Sequence, residues 1–257
     1  MKINSNKLIL LDIFSYSCMN CLRSLYYIKK INNRYKKYGL ATVLIHPPEW
    51  EFERNIRNIL PILQKYKIFF PIIIDKNKKI IKKLKVNFWP SQILINGNKI
   101  VYRHIGEGGY KKLEDKIREL LQINIKRLFK IEPSYSKYPA VYTAKSKNGI
   151  IKKLNGKLKF GEICLDGKWI QKKEYIKSRE KGSVLSLIVK GKIVNFVAQS
   201  LNRKQIEVII KLNNKFIKRL MIKAPQMYRI LKLNEGNKNK PSLIVGKGIA
   251  IYSFSFQ

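Results

Sequence analysis

The sequence predicts an α/β domain over residues 1–126 followed by an all-β sandwich domain of jelly-roll type over residues 127–257. Up to about residue 121, strand-length apolar runs alternate with segments of helical period, the pattern of a parallel sheet with crossover helices. From Pro133 onward the pattern changes to short alternating runs separated by turn signals, with no long helical period. Length agrees, since 257 residues is long for one core and fits two domains of roughly 100–150 residues.

Leu8–Phe14 is apolar enough to read as a buried strand. Asn20–Tyr38 then follows a helical period, with Leu22, Leu25, Ile28 and Ile31 on one face, and stops at Gly39. Ala41–Ile45 is a second strand, Glu51–Tyr66 a helix that Pro61 must kink or split, and Phe70–Ile74 a third strand. A short helix at Lys78–Leu84 precedes two strands, Gln92–Ile95 and Ile100–His104, joined across the hairpin signal Asn96-Gly97. A last helix from Tyr110 to about Leu121 completes the order β-α-β-α-β-α-β-β-α. In the second half the strand candidates are Val184–Val189, Ile193–Ala198, Ile206–Leu212, Phe216–Ile222, Tyr228–Leu233 and Ile249–Phe256. Asn155-Gly156, Asp166-Gly167 and Glu235-Gly236 mark turns among them.

A formal charge of +38 raises the question of a polyanionic partner. The excess is shared, with 25 Lys and Arg against 9 Asp and Glu up to residue 126 and 29 against 7 beyond it. Charge that neither half owns reads as solvated surface, so nucleic acid is not the expected partner. No stretch of 18 apolar residues is present to span a bilayer. Met1–Asn6 lacks the charged and apolar segments of an export signal, and Leu8–Phe14 leads directly into the cysteine motif.

Three cysteines, two of them in Cys18-Met19-Asn20-Cys21, leave a redox pair or part of a metal site. The motif lies between a strand and a helix, which puts Cys18 at the positive helix terminus and favours the attacking thiolate. Cys21, one turn inside the helix, is placed to attack a mixed disulfide on Cys18. A zinc site needs two more ligands, and Cys164, His46 and His104 form no second paired motif. Haem attachment needs His where Leu22 stands. The expectation is a thiol-disulfide oxidoreductase with no cofactor and no metal.

The segment Leu11-Asp12-Ile13-Phe14-Ser15-Tyr16-Ser17-Cys18-Met19-Asn20-Cys21 resembles the active-site segment of thioredoxins. That resemblance implies a buried Asp12 beneath the disulfide that takes the proton of the second thiol. It also implies a cis-proline loop at Trp89-Pro90 that faces the disulfide and pairs with substrate backbone, and a groove glycine at Gly106. Phe14 departs from the family, where Trp is frequent. The insertion His46-Pro47-Pro48-Glu49-Trp50 is similar to that of the TlpA-like branch, which implies a carboxylate near the thiol pair at Glu49, tuning it or relaying protons.

A fuller resemblance is to the thioredoxin-like C-terminal region of DipZ-type proteins, carried by Tyr16-Ser17-Cys18, Asn20-Cys21, His46 to Glu49, Trp89-Pro90 and Gly106-Glu107-Gly108-Gly109-Tyr110. In those proteins a β-sandwich resembling carbohydrate-binding modules follows, and Gly167, Trp169, Glu174, Tyr228 and Tyr252-Ser253-Phe254 look like its landmarks. The resemblance implies protein disulfide or dithiol substrates, an extracytoplasmic setting and a membrane electron donor, whereas the missing export signal points to the cytoplasm. A rival reading is a binding protein whose sandwich recognises carbohydrate or a protein partner. The bland readings of the remaining residues are structural roles for His46 and His104, a cap on the last helix for Glu107, and core positions for Cys164 and Trp169.

Overall fold

The computed structural model describes residues 8–129, 138–145, 147, 150–152, 158–233 and 239–257. Pro133, where the sequence pattern changes, and the turn signals Asn155-Gly156 and Glu235-Gly236 lie outside the described residues. The chain divides into two compact units, 1–135 and 136–257.

In chain order the first unit runs β1 (Leu8–Ile13), α1 (Met19–Tyr35), β2 (Leu40–His46), α2 (Ile56–Lys65), β3 (Ile72–Ile74), α3 (Lys79–Lys83), β4 (Ser91–Asn96), β5 (Lys99–Ile105) and α4 (Tyr110–Leu120). β1 is buried at nearly every position because it is the middle strand of the sheet β3-β2-β1-β4-β5, covered on both faces. It runs parallel to β2 and antiparallel to β4. Its side chains alternate between two cores. Leu8 and Leu10 pack with Ile28, Ile31 and Tyr35 of α1 and Leu113 and Ile117 of α4, while Ile13 packs with Ile45, Ile81 and Ile93 beneath the opposite face. The same period puts Asp12 on the α1 side, which decides where the site forms.

The helix expected at Glu51–Tyr66 is broken at Asn55 and not at Pro61. A 3-10 turn over Glu51–Arg54 ends in an extended Asn55, whose Oδ1 accepts the Arg57 N–H at 3.0 Å and caps α2. Pro61 sits inside α2 at an exposed position, as does Arg57, whose carbonyl loses its helical donor there, and the helix continues through it.

Beyond α4 the chain still belongs to the first core. The buried Glu114 carboxylate accepts the Tyr35 hydroxyl at 2.5 Å and the N–H groups of Leu128 and Phe129 at 2.6 and 3.0 Å. Phe129 closes on the stacked rings of Tyr27 and Tyr110. Glu114→Gln leaves one acceptor oxygen where there were two. It is expected to lower unfolding stability by about 1–3 kcal/mol, read from urea titration.

The second unit contains β6 (Val141–Tyr142), β7 (Ile150–Lys152), β8 (Glu162–Asp166), β9 (Trp169–Gln171), β10 (Ile176–Ser178), β11 (Ser183–Leu187), β12 (Ile193–Ser200), β13 (Ile206–Leu212), β14 (Lys215–Ile222), β15 (Gln226–Lys232), β16 (Pro241–Val245) and β17 (Ile249–Phe256). One sheet has the order β15-β12-β17-β10-β9 with β6 also on β17, and the other β14-β13-β16-β11-β8-β7. Both contribute to a single core, Phe196, Ile251 and Phe254 from the first and Leu185, Val208 and Leu243 from the second. Between these strands the pairing is antiparallel except for β7 and β8, which run parallel. At the Asp166-Gly167 turn Gly167 takes φ +79, and a Cβ there would come within 3.1 Å of the Ser183 backbone. Among the described residues no helix is long and apolar enough to cross a membrane.

Candidate active site

β1 ends at Ile13, and the chain turns through Phe14 to Ser17 before α1 begins. The turn is held to β2 by the Phe14 N–H on the Ile45 carbonyl and closed by the Cys18 N–H on the Ser15 carbonyl. Cys18 is the N-cap of α1, extended at φ −89 and ψ 118, and its Sγ accepts the Cys21 N–H at 3.4 Å. Both thiols are free. Their settings differ, because Cys18 is half-buried while Cys21 is completely covered. Burial pushes the Cys21 thiol well above its usual range, and the adjacent Cys18 adds to the effect. The helix start therefore presents one accessible sulfur at the positive end of α1 and keeps a second, protonated one behind it.

Asp12 lies beneath this pair on the α1-facing side of β1 and is fully buried. Its Oδ1 accepts the Gln92 amide at 2.8 Å, an interaction set by strand register, since Asp12 and Gln92 are directly paired across β1 and β4. The same amide reaches Ser24 Oγ at 3.2 Å. Asp12 Oδ2 has no hydrogen-bond partner. Burial raises the Asp12 carboxyl to about 7, with the Gln92 bond opposing the rise. An acid of that kind changes protonation at neutral pH, and its charge acts on the Cys21 thiol.

Trp89-Pro90 is a cis peptide immediately before β4. Ser91, the next residue, pairs with Ile13 at the end of β1, so the loop stands beside the cysteine turn. Gly106, just past β5, donates its N–H to the Pro90 carbonyl at 2.8 Å. The residues Trp89, Pro90 and Gly106 thus meet at the end of the sheet that carries the thiols. Glu49 reaches this loop too, its Oε2 accepting the Trp89 indole N–H at 3.4 Å.

The acid that touches the cysteine turn itself is Glu53, which sequence reasoning passes over. Its Oε1 accepts the Ser15 and Ser17 hydroxyls at 2.7 and 2.6 Å, and its Oε2 accepts the Glu49 N–H at 2.6 Å. Glu53 is completely buried, which raises its carboxyl, while the two hydroxyls pull the other way. His46 lies nearby with Nε2 3.9 Å from Glu53 Oε2, and its Nδ1 donates to the Phe14 carbonyl at 2.9 Å. Burial lowers the imidazole to about 4, so it is neutral at pH 7 and packs against Phe14 and Tyr16. Nothing in the run Glu51-Phe52-Glu53-Arg54 marks one Glu as buried. Gln92 was equally silent, a polar residue in an apolar strand whose partner is fixed only by pairing.

Glu107 does not cap α4. The N-cap is Gly109, without a side-chain bond, and Glu107 turns back to α1, where Arg23 Nε and a second guanidinium nitrogen donate to its two oxygens at 2.7 and 2.6 Å. Arg23 also donates to Asn20, between the two cysteines, at 2.6 Å. His104 lies against Gly109, where a Cβ would come within 2.6 Å of its ring. In the second unit Cys164 is buried in β8, which raises its thiol, and Trp169 packs partly against the core with its indole N–H on the Asp166 carbonyl.

Residues 143–256 match a family model described as the thioredoxin like C-terminal domain, a match confined to the second unit. The chain is 34% identical over 123 residues to protein DipZ of Mycobacterium tuberculosis, covering 47% of this chain and 18% of DipZ. It is 26% identical over 121 residues to the thiol-disulfide oxidoreductase ResA of Bacillus cereus, covering 47% of this chain and 67% of ResA. The solved structure of StoA from Bacillus subtilis aligns with 18% identity and a TM-score of 0.39 over 44% of this chain and 83% of StoA. The chain matches less than a fifth of the length of DipZ. It is thioredoxin-like and similar to DipZ-type proteins.

Proposed function

We propose that this protein is a thiol-disulfide oxidoreductase that exchanges disulfides with protein substrates through Cys18 and Cys21. The observation that carries the reading is the asymmetry of the two thiols, one accessible at a helix N-terminus and one buried above a carboxyl near neutrality. As a reductant, the Cys18 thiolate attacks one sulfur of a substrate disulfide, forming a mixed disulfide and expelling the other sulfur as thiolate. Asp12 takes the Cys21 proton, the Cys21 thiolate attacks Cys18 Sγ, and the second substrate sulfur leaves. The substrate gains two electrons and the pair ends as a disulfide. Run backwards, the same steps oxidise a dithiol.

Pro90, Trp89 and Gly106 form the wall against which substrate backbone is held, and Glu49 orients that wall through the Trp89 indole. A redox domain followed by a jelly-roll sandwich is the domain arrangement we propose. The sandwich reading is supported by the strand orders β10-β17-β12-β15 and β11-β16-β13-β14, in which successive strands repeatedly change sheet. The likeness to the thiol-disulfide oxidoreductase ResA supports protein disulfides as the substrate class, and a membrane electron donor is our proposal from the resemblance to DipZ-type proteins.

The test is reduction of insulin by dithiothreitol at pH 7 with the full chain added in catalytic amount. Acceleration is expected with the unaltered protein and its disappearance with Cys18→Ser. A chain whose Cys18 and Cys21 titrate as free thiols but which gives no acceleration, with insulin or other disulfide proteins, would leave the binding-protein reading in its place.

A further inference from the structure

We infer that Glu53 is a positioning residue for the thiol pair, its carboxylate bracing the Ser15-Tyr16-Ser17 turn so that Cys18 is held at the start of α1. The inference rests on the redox reading of the site and adds a residue to it. Glu53 spends a fully buried carboxyl on hydrogen bonds to the two hydroxyls that flank Tyr16. An apolar side chain of similar size would fill that space without the cost of desolvating an acid, so stability alone does not account for it. What the carboxylate supplies is geometry. The turn it grips ends at Ser17, the residue before Cys18, and the Ser15 carbonyl receives the Cys18 N–H.

The brace reaches the opposite wall as well. The second Glu53 oxygen accepts the Glu49 N–H, and the Glu49 side chain accepts the Trp89 indole N–H beside the cis-proline. A continuous set of contacts thus runs from Ser15 and Ser17 through Glu53 and Glu49 to Trp89. The segment between β2 and α2 supplies both acids, which gives this insertion a task at the site. Neighbouring His46 is neutral at pH 7 and bonded to Phe14, so the brace needs no partner charge.

The test measures Cys18 directly, without relying on turnover. In the full chain carrying Cys21→Ser and Cys164→Ser, the rate of Cys18 alkylation by iodoacetamide at pH 7 is followed by mass spectrometry, alongside the thermal midpoint. Glu53→Ala is expected to slow alkylation of the folded protein by about tenfold, the size of one lost charge-assisted hydrogen bond. Glu53→Gln keeps an acceptor oxygen for both hydroxyls and should recover the rate to within about threefold. Ser15→Ala with Ser17→Ala cuts the same link by removing two oxygen atoms, and serves if Glu53→Ala fails to fold. A lowered thermal midpoint with alkylation within about twofold of the parent, in Glu53→Ala or in the double serine variant, would make Glu53 a purely structural residue and overturn the inference. If instead the unaltered protein exchanges no disulfides while Cys18 alkylation still depends on Glu53, the brace stands and the functional reading falls.

Discussion

Cys21→Ser is expected to accumulate a covalent complex with disulfide substrates that dissolves on adding reductant, while Cys18→Ser accumulates none. Cys18 keeps its place at the positive end of α1 in the first variant and still attacks. What is lost is the intramolecular second step. A neighbouring thiol held within one helical turn acts at an effective concentration of about 10⁵ M or more, and without it the adduct must wait for uncatalysed exchange that takes minutes to hours. Cys164 does not replace Cys21, since it is buried in β8 with its thiol raised. The readout is a non-reducing gel of the full chain mixed with a disulfide protein, with mass mapping of the linked cysteine. A stable adduct in Cys18→Ser would reverse the two roles and remove the argument from the helix terminus. The experiment also separates exchange chemistry from simple binding, because a non-covalent complex does not survive denaturing electrophoresis.

Much of the first unit is legible in the sequence because its pieces are long or strongly punctuated. β1 and β2 are apolar runs buried on both faces, α1 shows its apolar stripe from Leu22 to Tyr35, and Gly39 at φ +104 closes the 3-10 turn Lys36–Tyr38 that follows α1. The kink or split expected at Pro61 does not occur and the helix breaks at Asn55 instead, because a proline is a louder signal than a cap and its cost depends on whether the carbonyl it frees meets water. In the second unit β13 and β17 appear at their full length in the sequence. β6, β7, β9 and β10 have two or three residues each and are too short for any alternation to show. At the site the cysteines are visible from spacing alone. Glu53 and Gln92 are not, since a lone acid or amide becomes a buried partner only through the folding of distant segments onto it, the 3-10 turn onto the cysteine loop and β4 onto β1. Glu107 shows the converse, a residue with a plausible local role as a cap that a long-range partner, Arg23, claims instead.

Asp12→Asn is expected to make the folded protein more stable at pH 8 and slower as an oxidoreductase. The Asp12 carboxyl is raised by burial from 3.8 to about 7, so between those values the native state holds a proton that the unfolded chain has released. Stability therefore falls as pH climbs through that interval. The contribution is present in full below about pH 4, is lost by the time the native carboxyl ionises near pH 7, and is flat above. The difference corresponds to a penalty on the order of 4 kcal/mol at pH 8, applied without screening because the group is wholly out of water. Asparagine cannot ionise, fills the same volume and keeps an oxygen for the Gln92 amide, so it escapes that penalty. Urea unfolding of the reduced protein at pH 4.5 and pH 8 should show the variant gaining on the parent as pH rises. A gap of the same size at both values would mean that Asp12 does not titrate in this window. Turnover should move the other way, because Cys21, whose thiol is raised by burial, loses the base that deprotonates it. A fall of roughly 10² in rate near pH 7 is the scale of such a base, and the inflection near neutrality in the pH-rate profile should vanish with it. A carboxyl that weakens the fold at the pH where it speeds the reaction is held there for chemistry, and the opposite signs of the two measurements on one substitution distinguish that from a residue kept for packing.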